Sequence, residues 1–294
     1  MSIILGFLSL VISIALPVLI LFFTGCEALH FSMFFIIPVG ALILGYICGY
    51  GYFKGLFKSN TYITGKHYLI GFILSLICIV GVEYASYMIT CVDPQTSEIV
   101  YSLDGDHVSN YYTDEYGDLD FLTYKKYMIE TTPISFSYKN KSLGDVSNPI
   151  AGWIFAMIDY LGVLVGCLFS GSMQKDHPYC HTCKLYKKEK DAFNFPKMAG
   201  EGFFTQLENC LAKENHQESF NNLLASVTLS PSLEKDEHFL CKLIYCDNCN
   251  TASLKFELHE LNAKNKLEIN SDFEFLVNVD YESLMNFINR PAIA

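Results

Sequence analysis

IAGWIFAMIDYLGVLVGCLFSGSMQKDHPYCHTCKLYKKEK, residues Ile150–Lys190, decides the fold of this chain, because a long apolar run passes directly into a Cys-x-x-Cys pair and a burst of lysines. Its first half, Ile150–Ser170, matches the ~20 apolar residues that cross ~30 Å of hydrocarbon as a helix. Its second half is polar and carries two thiols from a tight turn. The junction asks whether that pair is a metal clamp, a redox switch or half of a disulfide.

Three more runs of the first kind precede it, Met1–Phe23, Phe31–Phe53 and His67–Thr90. Together the four runs hold the apolar excess of a 294-residue chain that is 51% hydrophobic, with a mean hydropathy of +0.26. Four transmembrane helices are expected. For the first run a secretory signal peptide is the competing reading, but it has no basic n-region, it exceeds the usual ~7–15 apolar residues, and TGCEALHF holds no small-x-small site. A retained anchor is therefore expected, with a lipoprotein-like use of Cys26 in FFTGCE as a third reading.

Basic residues near helix ends resist translocation. Lys54, Lys58 and Lys66 follow the second run without an acid among them, and Lys175, Lys184, Lys187, Lys188 and Lys190 follow the fourth. Both segments are expected in the cytoplasm, whereas Cys91–Pro149, with ten acids and four lysines, is expected outside. The expected layout is a multi-pass protein of the cell (inner) membrane, N-in and C-in. It has three transmembrane helices in 1–90, an extracytoplasmic acidic loop with a small α/β element in 91–149, a fourth transmembrane helix in 150–172 and a cytoplasmic α+β domain in 173–294.

Small residues four apart let helix backbones approach closely. Gly45 and Gly49 make such a strip on the second run, and Gly162 and Gly166 on the fourth. Packing inside the bundle is the expected use, with a homo-oligomer face as the competing one. In the outer loop, SEIVYSLDGDHV reads as two strands about an Asp-Gly turn, DLDFLTYKKYMIETT as a helix and PISFSYKN as a strand. Its acids lack the ligand series of an EF-hand, so solvation explains them better than calcium. In the tail, FFTQLENCLAKE and QESFNNLLASV read as amphipathic helices, HFLCKLIYCDNC and ASLKFELHEL as strands about a turn, and DYESLMNFINR as a last helix.

The tail holds a second pair, Cys246 and Cys249, to set beside Cys180 and Cys183. Four thiolates at ~2.3 Å in tetrahedral geometry complete a structural Zn2+ site. The pairs lie about sixty residues apart, against ~15–20 in a compact motif, so an inserted pair of helices between two knuckles is expected. Unpaired buried thiols, two independent motifs and a thioredoxin-like redox pair are the competing readings, although neither pair has a βαβ setting. A reducing cytoplasm opposes a disulfide. His177, His181, His238 and His259 are alternative ligands, while Cys210 and Cys241 read as core thiols.

Two acidic residues, Glu83 and Asp159, lie inside the apolar runs as candidate intramembrane ionisable groups. Intramembrane carboxylates are costly and point to a proton or cation site or to structural hydrogen bonding, with Tyr84, Tyr87 and Tyr160 near in sequence. The two carboxylates are placed to approach one another, and no lysine or arginine within a span offers either of them an ion pair.

No P-loop, Gly-x-Ser-x-Gly or His-Glu-x-x-His motif is present, so a non-enzymatic role is expected. A net charge of −11 and a single arginine, Arg290, argue against nucleic acid. CHTC and CDNC look like the knuckles of zinc-ribbon modules, and the layout resembles bacterial four-helix membrane proteins with a cytoplasmic zinc-ribbon-like tail. That resemblance implies a fold class that is membrane α-helical (four transmembrane helices) plus a cytoplasmic α+β zinc-ribbon-like domain, with Zn2+ as cofactor. The expected role is binding of an unknown protein partner, or regulation, at the lipid bilayer. A transporter or channel component using Glu83 and Asp159 is the alternative.

Overall fold

Proline 38 sets the start of the second long helix, because a residue preceding a proline is pushed out of the α region and Pro itself donates no N–H. In the computed structural model that helix, α2, runs Val39–Lys58, eight residues later than the apolar run suggests. The structure describes residues 1–32, 37–93, 96, 98–103, 105–138, 141–146, 148–211, 222–223, 236–262 and 264–280. Two compact units divide the chain, Met1–Asp176 and His177–Ala294.

In the first unit α1 spans Ser2–Thr24 and stops at Gly25, whose φ of 69° lets its N–H bond back to the Leu21 carbonyl at 2.8 Å. Helix α3, Gly65–Met88, starts at a capping box in which the Thr64 and His67 side chains each serve the other's backbone N–H. Among the described residues four helices are long and apolar enough to cross a membrane, the fourth being Pro149–Lys175. The Asn148 side chain caps that fourth helix by accepting from the Ile150 and Ala151 N–H groups.

The glycine strips lie where α2 meets this fourth helix. A Cβ on Gly45 would penetrate the Val163 carbonyl, and one on Gly166 would penetrate the Leu42 carbonyl. One on Gly49 would sit 2.5 Å from Ser170 Oγ, and one on Gly162 would sit 2.8 Å from Pro38 Cγ. All four glycines are thus spent on contact within one chain, and Ala41, Cys48, Val163 and Cys167 fill the interface at 0–1% exposure. Outward faces remain apolar, with Ile3, Ile4, Phe7 and Leu69 all exposed.

Between α3 and the fourth long helix lies a small mixed element. Strand β1, Thr90–Val92, is central, flanked by β2, Ile99–Tyr101, and β3, Asp106–His107. The two stretches about the Asp-Gly turn therefore pair with β1 and not with each other, which corrects the hairpin expectation. A short 3-10 turn, Val108–Asn110, leads to β4, Tyr112–Thr113, and β5, Gly117–Asp118. Helix α4, Phe121–Thr131, follows its N-cap Asp120, which accepts from the Thr123 N–H at 2.8 Å. Strands β6, Ile134–Tyr138, and β7, Lys141–Val146, form a hairpin that leads into α5, Pro149–Lys175. Helix α4 seals a core of Tyr87, Val108, Leu119 and Tyr124, and its Glu130 accepts from Trp153 Nε1 of α5 at 3.0 Å.

The second unit opens with the hairpin β8, Tyr179–Cys180, and β9, Leu185–Tyr186. It continues as β10, Lys188–Pro196, α6, Lys197–Leu211, β11, His238–Tyr245, β12, Thr251–Leu261, and β13, Leu267–Asp280. Strands β10 to β13 form one antiparallel sheet in sequence order. Alternate residues Phe193, Phe195, Phe239, Cys241, Leu243, Leu254, Phe256 and Val277 face one side and meet Phe203, Leu207 and Cys210 of α6. The helices read in QESFNNLLASV and DYESLMNFINR lie outside the described residues but for Asn222 and Leu223, which are helical, and Asp280, which ends β13.

Candidate metal centre

The register of the tail sheet resolves the long interval between the two cysteine pairs. Strand β10 leaves the first knuckle and β11 returns to the second, with Lys188 opposite Tyr245 and Pro196 opposite His238. The intervening chain makes an excursion from the site and comes back to it, so both knuckles lie at one end of the sheet. Strands β9 and β10, helix α6, the helical Asn222 and Leu223 and the returning strand β11 occupy the described part of that interval; the first of the two expected helices is α6, and the second otherwise lies outside the described residues.

Each knuckle is the turn of a hairpin built to the same plan. In the first, Cys180 pairs with Leu185 in the ladder. In the second, the Cys246 N–H bonds to the Thr251 carbonyl at 3.0 Å and the Asn250 N–H to the Cys246 carbonyl at 3.1 Å. The residue after each second cysteine takes a left-handed conformation, Lys184 at φ 55° and Asn250 at φ 55°. That reversal swings the backbone round so that both sulfurs of a pair point inward.

One sulfur from each of Cys180, Cys183, Cys246 and Cys249 lies within 4.8 Å of the others. The Cys180 and Cys249 sulfurs are 3.5 Å apart. Tetrahedral coordination with ~2.3 Å metal–sulfur bonds requires sulfurs ~3.8 Å apart, so the four donors fit such an ion with small adjustments. The first cysteine of each pair is buried and the second half-buried, so the donor set is sheltered on one side. Thr251 Oγ1, at 3.2 Å, and the Thr251 backbone N–H hydrogen-bond Cys249 Sγ and lower its pKa to about 6. Contacts with Cys249 and burial push the Cys183 thiol up to about 12. Crowded sulfurs repel shared negative charge, and a bound cation relieves that repulsion.

Thr251 and the left-handed Lys184 are site residues that Cys spacing does not reveal. Lysine in this backbone region costs ~1–2 kcal/mol, whereas asparagine tolerates it. In protein loaded with Zn2+, Lys184→Gly is therefore expected to slow metal loss to a chelator, and Asn250→Gly to change it less; equal effects would count against the knuckle geometry. Lys188 Nζ reaches Asp247 Oδ2 at 2.6 Å, an exposed pair of little energetic weight. None of the four histidines considered as ligands belongs to the group. His238 and His259 stack on each other, centroids 4.9 Å apart, where Pro196 pairs with β11, at the other end of the sheet.

Glu83 and Asp159 take separate partners. Lys125 Nζ of α4 lies 2.5 Å from Glu83 Oε2, and the Tyr160 hydroxyl donates to Glu83 Oε1 at 3.1 Å. His30 Nδ1 lies 2.7 Å from Asp159 Oδ2. The expectation that no ion pair forms at these carboxylates is thereby corrected: the cation comes from α4, outside the apolar runs. Sequence offered no signal for it, since Lys125 and His30 are remote in the chain from the acids they meet.

Compared with protein-family models, with curated proteins and with solved structures, the chain has no match in any of the three.

Proposed function

We propose that this chain is a multi-pass membrane protein whose tail is stapled by a structural Zn2+ held by Cys180, Cys183, Cys246 and Cys249, and that the tail binds a partner protein or regulates one. The observation that carries this reading is the convergence of four sulfurs from two matched knuckles within 4.8 Å. Four thiolates saturate a tetrahedral shell and leave no position for substrate or water, so the ion acts as a staple and not as a catalyst. On the lysine placement the tail lies in the cytoplasm and both termini face inward. Cross-linking followed by affinity purification of the full-length protein tests the partner role: a protein captured by the wild type is expected to be lost with Cys180→Ser. Capture of the same protein at the same yield by the serine variant would contradict a metal-dependent tail surface.

A second reading, a transport or channel component, draws support from a cavity of ≈ 30 Å3 beside Glu27, His30 and Glu83. Ion flux in proteoliposomes that Glu83→Gln and Asp159→Asn leave unchanged would dispose of it.

A further inference from the structure

We propose that His30 is a proton-binding site that clasps the Cys26–Ser32 segment onto α5 through Asp159, docked when the imidazole is protonated and released when it is not. Both ring nitrogens face carboxylates: Nδ1 is 2.7 Å from Asp159 Oδ2 and Nε2 is 3.6 Å from Glu27 Oε2. A neutral imidazole has one donor and one acceptor, so only the doubly protonated ring suits acids at both nitrogens. Asp159 is 6% exposed at its side chain and needs a counter-charge.

The surrounding charges require the same proton. Glu27 of the segment, Glu83 of α3 and Asp159 of α5 are the acids, and Lys125 of α4 and His30 are the bases. Lys125 sits on Glu83, with Tyr160 also hydrogen-bonded there, while Tyr101 hydrogen-bonds Glu27 at 3.5 Å. Tyr124, an uncharged phenol, lies near Glu27 and Glu83. Loss of the His30 proton leaves three acids facing one cation. The ≈ 30 Å3 cavity beside Glu27, His30 and Glu83, walled by Pro17, Leu21 and Val82, has room for about two waters and gives protons a way in.

Burial opposes the charged ring, yet the Asp159 hydrogen bond, helped by Glu27 and Glu83 and opposed by Lys125, leaves the His30 pKa above its ordinary value. Docking is therefore complete below the ~6.5 of a free histidine and is lost as pH rises through the raised value. On the proposed topology this end faces outward, so the clasp responds to external pH. The site itself rests on neither that orientation nor the metal.

15N-histidine spectra of the full-length protein in nanodiscs test the proposal, with the His30 signal identified by its loss in His30→Gln. The expected midpoint lies above ~6.5, and Asp159→Asn lowers proton affinity at least about tenfold. A midpoint at or below that value, or one unmoved by Asp159→Asn, overturns the proposal. Release is read from Leu29, which is 4% exposed. Alkylation of Leu29→Cys, divided by that of the exposed Cys26 in the same molecule, should rise above the midpoint and become pH-independent with His30→Gln. A ratio that stays flat across the midpoint with His30 present rules out release.

Discussion

Cys246→Ser in the full-length protein is expected to unfold the unit beginning at His177 while leaving the helical unit intact. Structural zinc contributes an apparent ~10–16 kcal/mol in small zinc-dependent peptides at neutral pH. Losing a thiolate forfeits much of that, against a typical domain stability of ~5–15 kcal/mol. The sheet has its own aromatic core around Phe195, Phe239 and Phe256, so the prediction concerns which of the two supports dominates. Cys246 is 2% exposed and lies where β11 turns into β12, so its loss opens the hairpin at the centre of the sheet. Limited proteolysis should show rapid cleavage after Asp176 in the variant and slow cleavage in the wild type. Protection equal to the wild type would show that the sheet stands without the metal.

Lys125→Ala is expected to destabilise the helical unit by about 1–3 kcal/mol, between the small cost of breaking an exposed ion pair and the larger cost of breaking a buried one, because this pair is partly buried. Glu83 is 11% exposed at its side chain and Lys125 19%, so neither charge is well solvated by the protein's surroundings when left alone. Adding Glu83→Gln should recover most of that loss, because the neutral amide keeps a hydrogen bond to the Tyr160 hydroxyl and removes the stranded charge. Thermal unfolding in detergent of both single variants and the double variant measures the coupling. A double variant as unstable as the sum of the singles would show that the pair carries no coupling and that Lys125 acts through packing.

Much of the helical unit could be read from the chain because length and apolarity are local properties. The ends of α1, α3 and α5 lie close to the ends of their apolar runs, whereas α2 begins late because Pro38 interrupts a run that composition alone makes continuous. Glycine spacing indicated close backbone contact, but only packing shows that Gly45 meets Val163 and Gly166 meets Leu42. Strands β10 and β13 were harder to see. The lysines opening β10 are equally expected of a segment flanking a membrane helix, and its inward Phe193 and Phe195 alternate over a short span. Strand β13 does alternate, through Phe273, Phe275, Val277 and Val279, and that period of two was the missed signal.

The candidate metal centre was legible in its ligands and illegible in its construction. Cys-x-x-Cys names four sulfurs, but their meeting depends on β10 and β11 running antiparallel, a non-local pairing that no spacing rule contains. Partners of Glu83 and Asp159 were hidden for the same reason: His30 and Asp159 are 129 residues apart in sequence.

Metal content of the purified full-length protein tests the central claim most directly. Elemental analysis after extraction without chelator should find about one zinc per chain in the wild type, since four ligands close one site. It should find almost none in either Cys180→Ser or Cys246→Ser. Equal zinc in the wild type and both variants, or a wild type whose four thiols all alkylate rapidly and which carries no metal, would contradict a shared four-cysteine site.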